Sequence, residues 1–152
     1  FNLIQSKCII LMARFTIFFL FFLLIFNNQI KCSEIKLNVN NIDNPLGSIH
    51  VALYNNPDMF PKSDGKFLGL KKKTKKVLEE GILIEGLNMG KYAIAIYHDK
   101  NDNNEFDTFF GLPAEKYGFS KNAKVFFGPP KFSEASFFLS ENVNLKLDID
   151  LK

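Results

Sequence analysis

The chain reads as an all-β protein, an antiparallel β-sandwich of about seven short strands with one long ordered loop. Three observations predict this. Apolar residues recur at every second position in several short runs, the period of half-buried strands. Clusters of Gly, Pro, Asn and Asp separate those runs. No stretch after residue 32 shows the spacing of an amphipathic helix, and no internal repeat is visible.

Taken in order, Glu34 to Asn40 alternates polar and apolar, and Asn41 to Gly47 is a turn. Ser48 to Tyr54 alternates again, with Ile49, Val51 and Leu53 on one face. Asn55 to Gly69 reads as a long irregular loop that Phe60, Phe67 and Leu68 can pin down. The charge run Lys71, Lys72, Lys73, Lys75 and Lys76 reads as a solvated edge strand or loop that lysine protects from stray pairing. Its rival is a patch for an anionic surface.

Val77 to Leu87 contains the apolar run Ile82-Leu83-Ile84, and Asn88-Met89-Gly90 is a turn. Lys91 to His98 then places Tyr92, Ile94, Ile96 and His98 on one face and Ala93, Ala95 and Tyr97 on the other. Small residues opposite large ones predict a strand covered on both faces. Ala135 to Leu139 and Val143 to Leu151 are the closing strands, the last with Leu145, Leu147, Ile149 and Leu151 on its inner face.

Residues 1–32 differ in character. Met12-Ala13-Arg14 precedes an apolar run, Phe15 to Phe26, closed by Asn27, Asn28 and Gln29. That run is well short of the ~20 residues of a membrane-spanning helix. It reads as a secretory signal peptide starting at Met12 and cleaved after Cys32, which leaves 33–152 as one sandwich domain. The rival is an uncleaved anchor, which would place Arg14 in apolar surroundings at about 2.5–3.5 kcal/mol. Lipidation of Cys32 fits less well, because Lys31 stands where a small residue is wanted. The expected localisation is export, to the periplasm, the outer surface or the medium.

Charge and cysteine follow the same division. Lys7, Arg14 and Lys31 are the charges of residues 1–32, and without these three the 19 Lys and Arg fall to match the 16 Asp and Glu. The 33–152 region is formally neutral, which argues against nucleic acid as a partner. Cys8 and Cys32 both precede Ser33, so the domain is expected to hold no disulfide. A monomer is expected, touching the membrane only through an uncleaved signal segment.

The stretch His98 to Phe132 carries most of the chemistry. Asp99, Asn101 and Asn103 take the first, third and fifth places of a DxNxN loop, with the Glu105 carbonyl at the seventh and Asp107 at the ninth. Oxygen ligands on alternate positions of a tight loop suit a hard cation, and calcium before a transition metal. The twelfth place is Phe110, so the usual bidentate Glu is missing, and Glu115 is the candidate to replace it. The alternative is an Asp/Asn turn whose side chains cap backbone amides without any metal. An enzymatic reading centres on His98 with Asp99, Glu115, Tyr117 or Ser120, which would require a nucleophile and base within hydrogen-bond reach. Two His and no Cys after residue 32 make a zinc site a weak reading. Tyr117, Phe119, Phe126, Phe127 and Phe132 either fold the long connection onto the sandwich or form an exposed platform for a protein or glycan partner.

The run HDKNDNNEFDTFFGLPAEKYGFS, preceded by GKYAIAIYHD and followed by GPPKFSEASF, closely resembles a family of exported bacterial proteins catalogued as domain of unknown function 2141. The resemblance covers nearly all of residues 33–152. It implies a transthyretin-like or immunoglobulin-like sandwich, export, and no established activity or catalytic residue. The family loop has Asn-Gly where this chain has Asn103-Asn104. Asn tolerates the left-handed conformation such a turn demands.

The reading is thus an exported β-sandwich binding or structural module with a calcium loop, and the alternative is a hydrolase-like enzyme using His98. N-terminal sequencing of the exported protein should find Ser33 first. An intact Met12 terminus on membrane-bound material would establish the anchor instead.

Overall fold

A computed structural model describes residues 33–152, and the expected signal segment with its cleavage point lies outside the described residues. The strands are β1 (Ser33–Asn40), β2 (Ser48–Tyr54), β3 (Leu68–Lys73), β4 (Ile82–Leu87), β5 (Gly90–Asp99), β6 (Thr108–Phe109), β7 (Leu112–Pro113), β8 (Tyr117–Phe119), β9 (Phe137–Leu139) and β10 (Asn144–Asp150). The helices are α1 (Thr74–Glu80) and α2 (Phe132–Ala135). One sheet runs β10–β1–β4 and the other β3–β2–β5–β8, with β9 also on β5 and β6–β7 a separate hairpin. This is the all-β sandwich that the alternating runs predict.

The core follows from the period-two pattern. Ile35 and Leu37 of β1, Ile49, Val51 and Leu53 of β2, Ile82 and Ile84 of β4 and Ile94 and Ile96 of β5 bury one face each into a single cluster. Ile149 and Leu151 close it from the end of the chain. The other face of β5 is covered too. Ala93 packs with Tyr54, Phe60, Phe119 and Phe132 in a second cluster, so the connection after β8 forms an outer layer on the sheet. The small side chains of Ala93 and Ala95 leave room for that layer, as their alternation with large residues predicts.

Several elements differ from the expectation. The β1–β10 pair is parallel, in register from Glu34–Asn144 to Asn40–Asp150. A parallel pair needs a long crossover, and nearly the whole domain lies between these two strands. The lysine run divides: Lys71–Lys73 lie on the edge strand β3, whereas Lys75 and Lys76 lie on α1. Helix α1 turns only Thr74 and Val77 inward, too few positions for a helical period to show in the sequence. Gly81, at φ +70°, ends it, and its amide donates to the Val77 carbonyl at 2.8 Å. Ala135 closes α2, so the strand expected from there begins at Phe137.

The far edge of β5 is shared by two short strands. β9 pairs with Gly90 to Tyr92 and β8 with Ala95 to Tyr97. Ile94 falls in the gap, and the wholly buried Ser120 hydroxyl fills it. Ser120 Oγ accepts from the Ile94 amide at 2.9 Å and donates to the Ala135 carbonyl at 2.6 Å. Ser120→Ala would orphan both backbone groups in a buried seam, at about 1–3 kcal/mol. Urea unfolding should show that loss, and an unshifted midpoint would mean the seam is closed by something else.

Candidate functional site

Strand register assembles the site on the outer face of the second sheet. Lys71 of β3, His50 of β2, Tyr97 of β5 and Tyr117 of β8 are successive cross-strand partners. One rung further along lie Lys73, Ser48 and Asp99. The chain leaves β5 at Asp99 and folds the Lys100–Asp107 segment back over these side chains.

Asp99 is the anchor, with 0 % of its surface exposed. Its Oδ1 accepts the Asn103 amide at 3.1 Å, and its Oδ2 accepts the Asn104 amide at 2.9 Å. The His50 ring donates from Nε2 to the same Oδ2 at 3.1 Å, and Lys71 Nζ stands 4.0 Å away. Burial holds the His50 ring below its ordinary value, against the pull of Asp99, so the ring is neutral at pH 7. His50 also stacks on Tyr97, ring centroids 4.6 Å apart. Burial pushes the Tyr97 phenol up to about 12, with the Asp99 and Glu115 carboxylates adding to the shift.

Gly47 makes the approach possible. Its φ is +71°, and a Cβ there would stand 2.0 Å from the Asp99 carbonyl oxygen, so no side chain fits. Within the loop, Asn101 Oδ1 accepts the Asn103 amide and Asn103 Oδ1 accepts the Glu105 amide. The Asn101 and Asn103 side-chain amides both donate to Asp107, at 2.8 and 3.1 Å. Asn104 has φ +68°, the left-handed turn expected for Asn in place of Gly.

Glu115 returns from the β6–β7 hairpin to close the loop. Its carboxylate accepts the Lys100 amide at 3.1 Å and the Asp107 amide at 3.2 Å. Burial raises its pKa, and the two amides partly offset this. Asp102 faces the other way, towards Lys71 at 2.7 Å, Lys73, and the Ser48 hydroxyl at 2.7 Å. These partners hold its carboxyl well below the usual range. Lys72 pairs with Glu80 at 3.1 Å, so Lys71, Lys72 and Lys73 are all engaged by local acids.

Asp99, Asn101, Asn103, Glu105 and Asp107 are thus brought into one loop, with Glu115 beside it. Among the described residues no three His, Cys, Asp or Glu side chains cluster as a ready metal site. The residues of the enzymatic reading are not brought together by hydrogen bonds. His98 is buried and donates to the Leu46 carbonyl at 2.8 Å, Ser120 serves the β5 seam, and Glu115 caps the loop. His50, Lys71 and Ser48 belong to the site; Lys71 is anticipated only as part of the solvated lysine run, and sequence reasoning misses His50 and Ser48. Their one signal is that His50 and Ser48 alternate with the core residues Ile49 and Val51.

The aromatic residues of the connection divide. Phe119 and Phe132 are buried in the second cluster and Tyr117 packs against it, whereas Phe126 and Phe127 are exposed. Pro129, Pro130 and Lys131 line a shallow cleft with Phe60 and Lys91.

The family model described as uncharacterized protein conserved in bacteria (DUF2141) matches residues 37–146. The chain belongs to this family. No curated protein and no solved structure matches the chain. The match to DUF2141 spans the site from Ser48 to Glu115, and among the described residues no helix is long and apolar enough to cross a membrane.

The Asp102 cluster makes the loop sensitive to acid. Its folded pKa lies below the ordinary aspartate value, so the folded state releases its proton more readily than the unfolded one. The stability it lends is present at neutral pH and is lost as pH falls below about 4. Glu115 acts oppositely, its raised pKa making the folded state relatively more stable as pH falls through its folded value. Asp102→Asn should therefore lower the melting temperature at neutral pH and flatten its decline in acid. Parallel curves for variant and wild type would show the Asp102 contacts to be without weight.

Proposed function

We propose that this DUF2141 chain is an exported binding or structural module whose Asp99–Asp107 loop takes one calcium ion. The observation that carries the reading is the loop's hydrogen-bond frame. The first-place carboxylate caps the amides at the fifth and sixth places, and the sixth residue, Asn104, is left-handed. A tight calcium loop requires that sharp turn at its sixth place.

The donor set fits a hard cation. Asp99 Oδ1 carries one hydrogen bond and keeps acceptor capacity on the loop side, while Oδ2 faces His50 and Lys71. Asp107 holds two carboxylate oxygens towards Asn101 and Asn103, whose amide groups can turn their oxygens to an ion. The Glu105 carbonyl and the Glu115 carboxylate complete the candidate ligands. Two firm carboxylates and a nearby lysine imply modest affinity, about 10⁻⁴–10⁻³ M. The role of the ion is to hold the loop, and no catalytic step is assigned to it.

Melting temperatures in excess chelator and in calcium test this. A tenfold excess over Kd stabilises by about 1.4 kcal/mol, a rise of several degrees. Asp107→Asn should lose most of that rise, whereas Lys146→Ala, on the exposed face of β10, should keep it. Asp99→Ala should be destabilised by about 1–3 kcal/mol even in chelator, because two amides and His50 lose their acceptor. Identical wild-type melting in chelator and calcium sinks the ion and leaves a hydrogen-bonded turn.

A further inference from the structure

The segment from Ser120 to Leu139 holds three lysines, Lys121, Lys124 and Lys131, against one acid, Glu134. Glu134 directs its carboxylate to the Lys131 backbone amide at 2.7 Å. The three lysines are exposed and form no ion pair among the described residues. Between them Phe126 is 79 % exposed and Phe127 fully so. These rings are not displaced from the core, because the inward places around them are already taken by Ala123, Val125, Pro130 and Phe132.

The platform extends onto the sheet. Lys91 of β5 and the exposed Phe138 of β9 are cross-strand partners. Lys91 also lines the shallow cleft beside Pro129, Pro130 and Lys131, which joins this pair to the segment. Three exposed phenylalanines therefore stand among four lysines, with the Glu134 carboxylate bound to a backbone amide and Asp150 engaged by the Asn40 and Asn122 side chains.

A surface that complements this must be anionic outside and apolar just beneath. A bilayer containing acidic phospholipid has that profile: aromatic rings enter the acyl boundary while lysines meet the headgroups. We infer that the Phe126–Phe127 platform docks on an anionic phospholipid bilayer. This attachment is separate from residues 1–32 and from the Asp99 loop. A glycan platform would bring acceptors as well as donors to the hydroxyls beside the rings, and the lysines flanking Phe126 and Phe127 only donate. The β6–β7 hairpin exposes Phe109, Phe110 and Leu112 as well, but it adjoins Glu105 and Asp107, whose charge opposes an anionic surface.

The chain has no tryptophan, so a single one reports its own surroundings. Full-length Phe127→Trp and Phe110→Trp proteins would be mixed, in chelator, with vesicles of phosphatidylcholine with or without phosphatidylglycerol. The expected result is a blue shift and quenching by brominated acyl chains for Phe127→Trp alone, and only with phosphatidylglycerol. About 1 M salt should abolish it, since screening then acts within about 3 Å. Each lysine near an anionic surface strengthens attachment about fivefold. Adding Lys124→Glu and Lys131→Glu should therefore weaken binding about 25-fold or more. Residues 1–32 are common to both proteins, so adsorption through them cannot single out position 127. Water-like emission from Phe127→Trp in every vesicle overturns the proposal, as do equal shifts at both positions. A shift that follows protein concentration without vesicles also overturns it, in favour of a second copy of the chain.

Discussion

A carboxylate with no exposed surface has to be held by donors, and Asp99 imposes that condition on everything around it. It needs the amides of Asn103 and Asn104, which fixes the turn of the loop. It needs the His50 ring, which fixes β2 beside β5, and it draws Lys71 of β3 to within 4.0 Å. Gly47 is required because the strand that supplies His50 must first pass against the Asp99 backbone. The anchor therefore ties three strands and the following loop into one unit. The same arrangement leaves a spare lone pair on Oδ1 and an acidic partner in Asp107, the basis for the calcium reading.

β5 is the strand on which these features converge. Its isoleucine face lies in the core between the sheets, and its alanine face lies under the layer made by Phe60, Phe119 and Phe132. Ser120 closes the break where β9 stops and β8 begins, so it is bound into the backbone rather than free to act on a substrate. The two ends of β5 differ in charge. The Asp99 end carries the acidic loop, and the Lys91 end carries the basic aromatic platform. A strand of this length sets them roughly 25–30 Å apart. The cation and the anionic surface proposed as partners thus fit opposite ends of one rigid element.

Much of the fold was legible in the residues themselves. Alternation such as Ile49, Val51 and Leu53 states which side of a strand is buried, because the side-chain period is two whatever the partner. The DxNxN spacing and the tolerance of Asn104 for φ > 0 are local properties, so the loop could be located and its turn anticipated. Family membership was legible for the same reason, since its motif is one continuous run. The short helix α1 and the two-residue strands β6 and β7 were not, because about two turns with two inward positions, or two residues, hold no period to detect.

What only the tertiary structure decided was pairing. Nothing local states that β1 lies parallel to β10, or that His50 stands opposite Tyr97 and Lys71, because register is set by long-range packing. The same limit applied to the aromatic connection. A list of Tyr117, Phe119, Phe126, Phe127 and Phe132 does not say which rings find a place against Ala93 and which are left in solvent. By itself the sequence determined the buried faces, the loop and the family. Which side chains meet, and which of them stay exposed, depended on how distant segments pack.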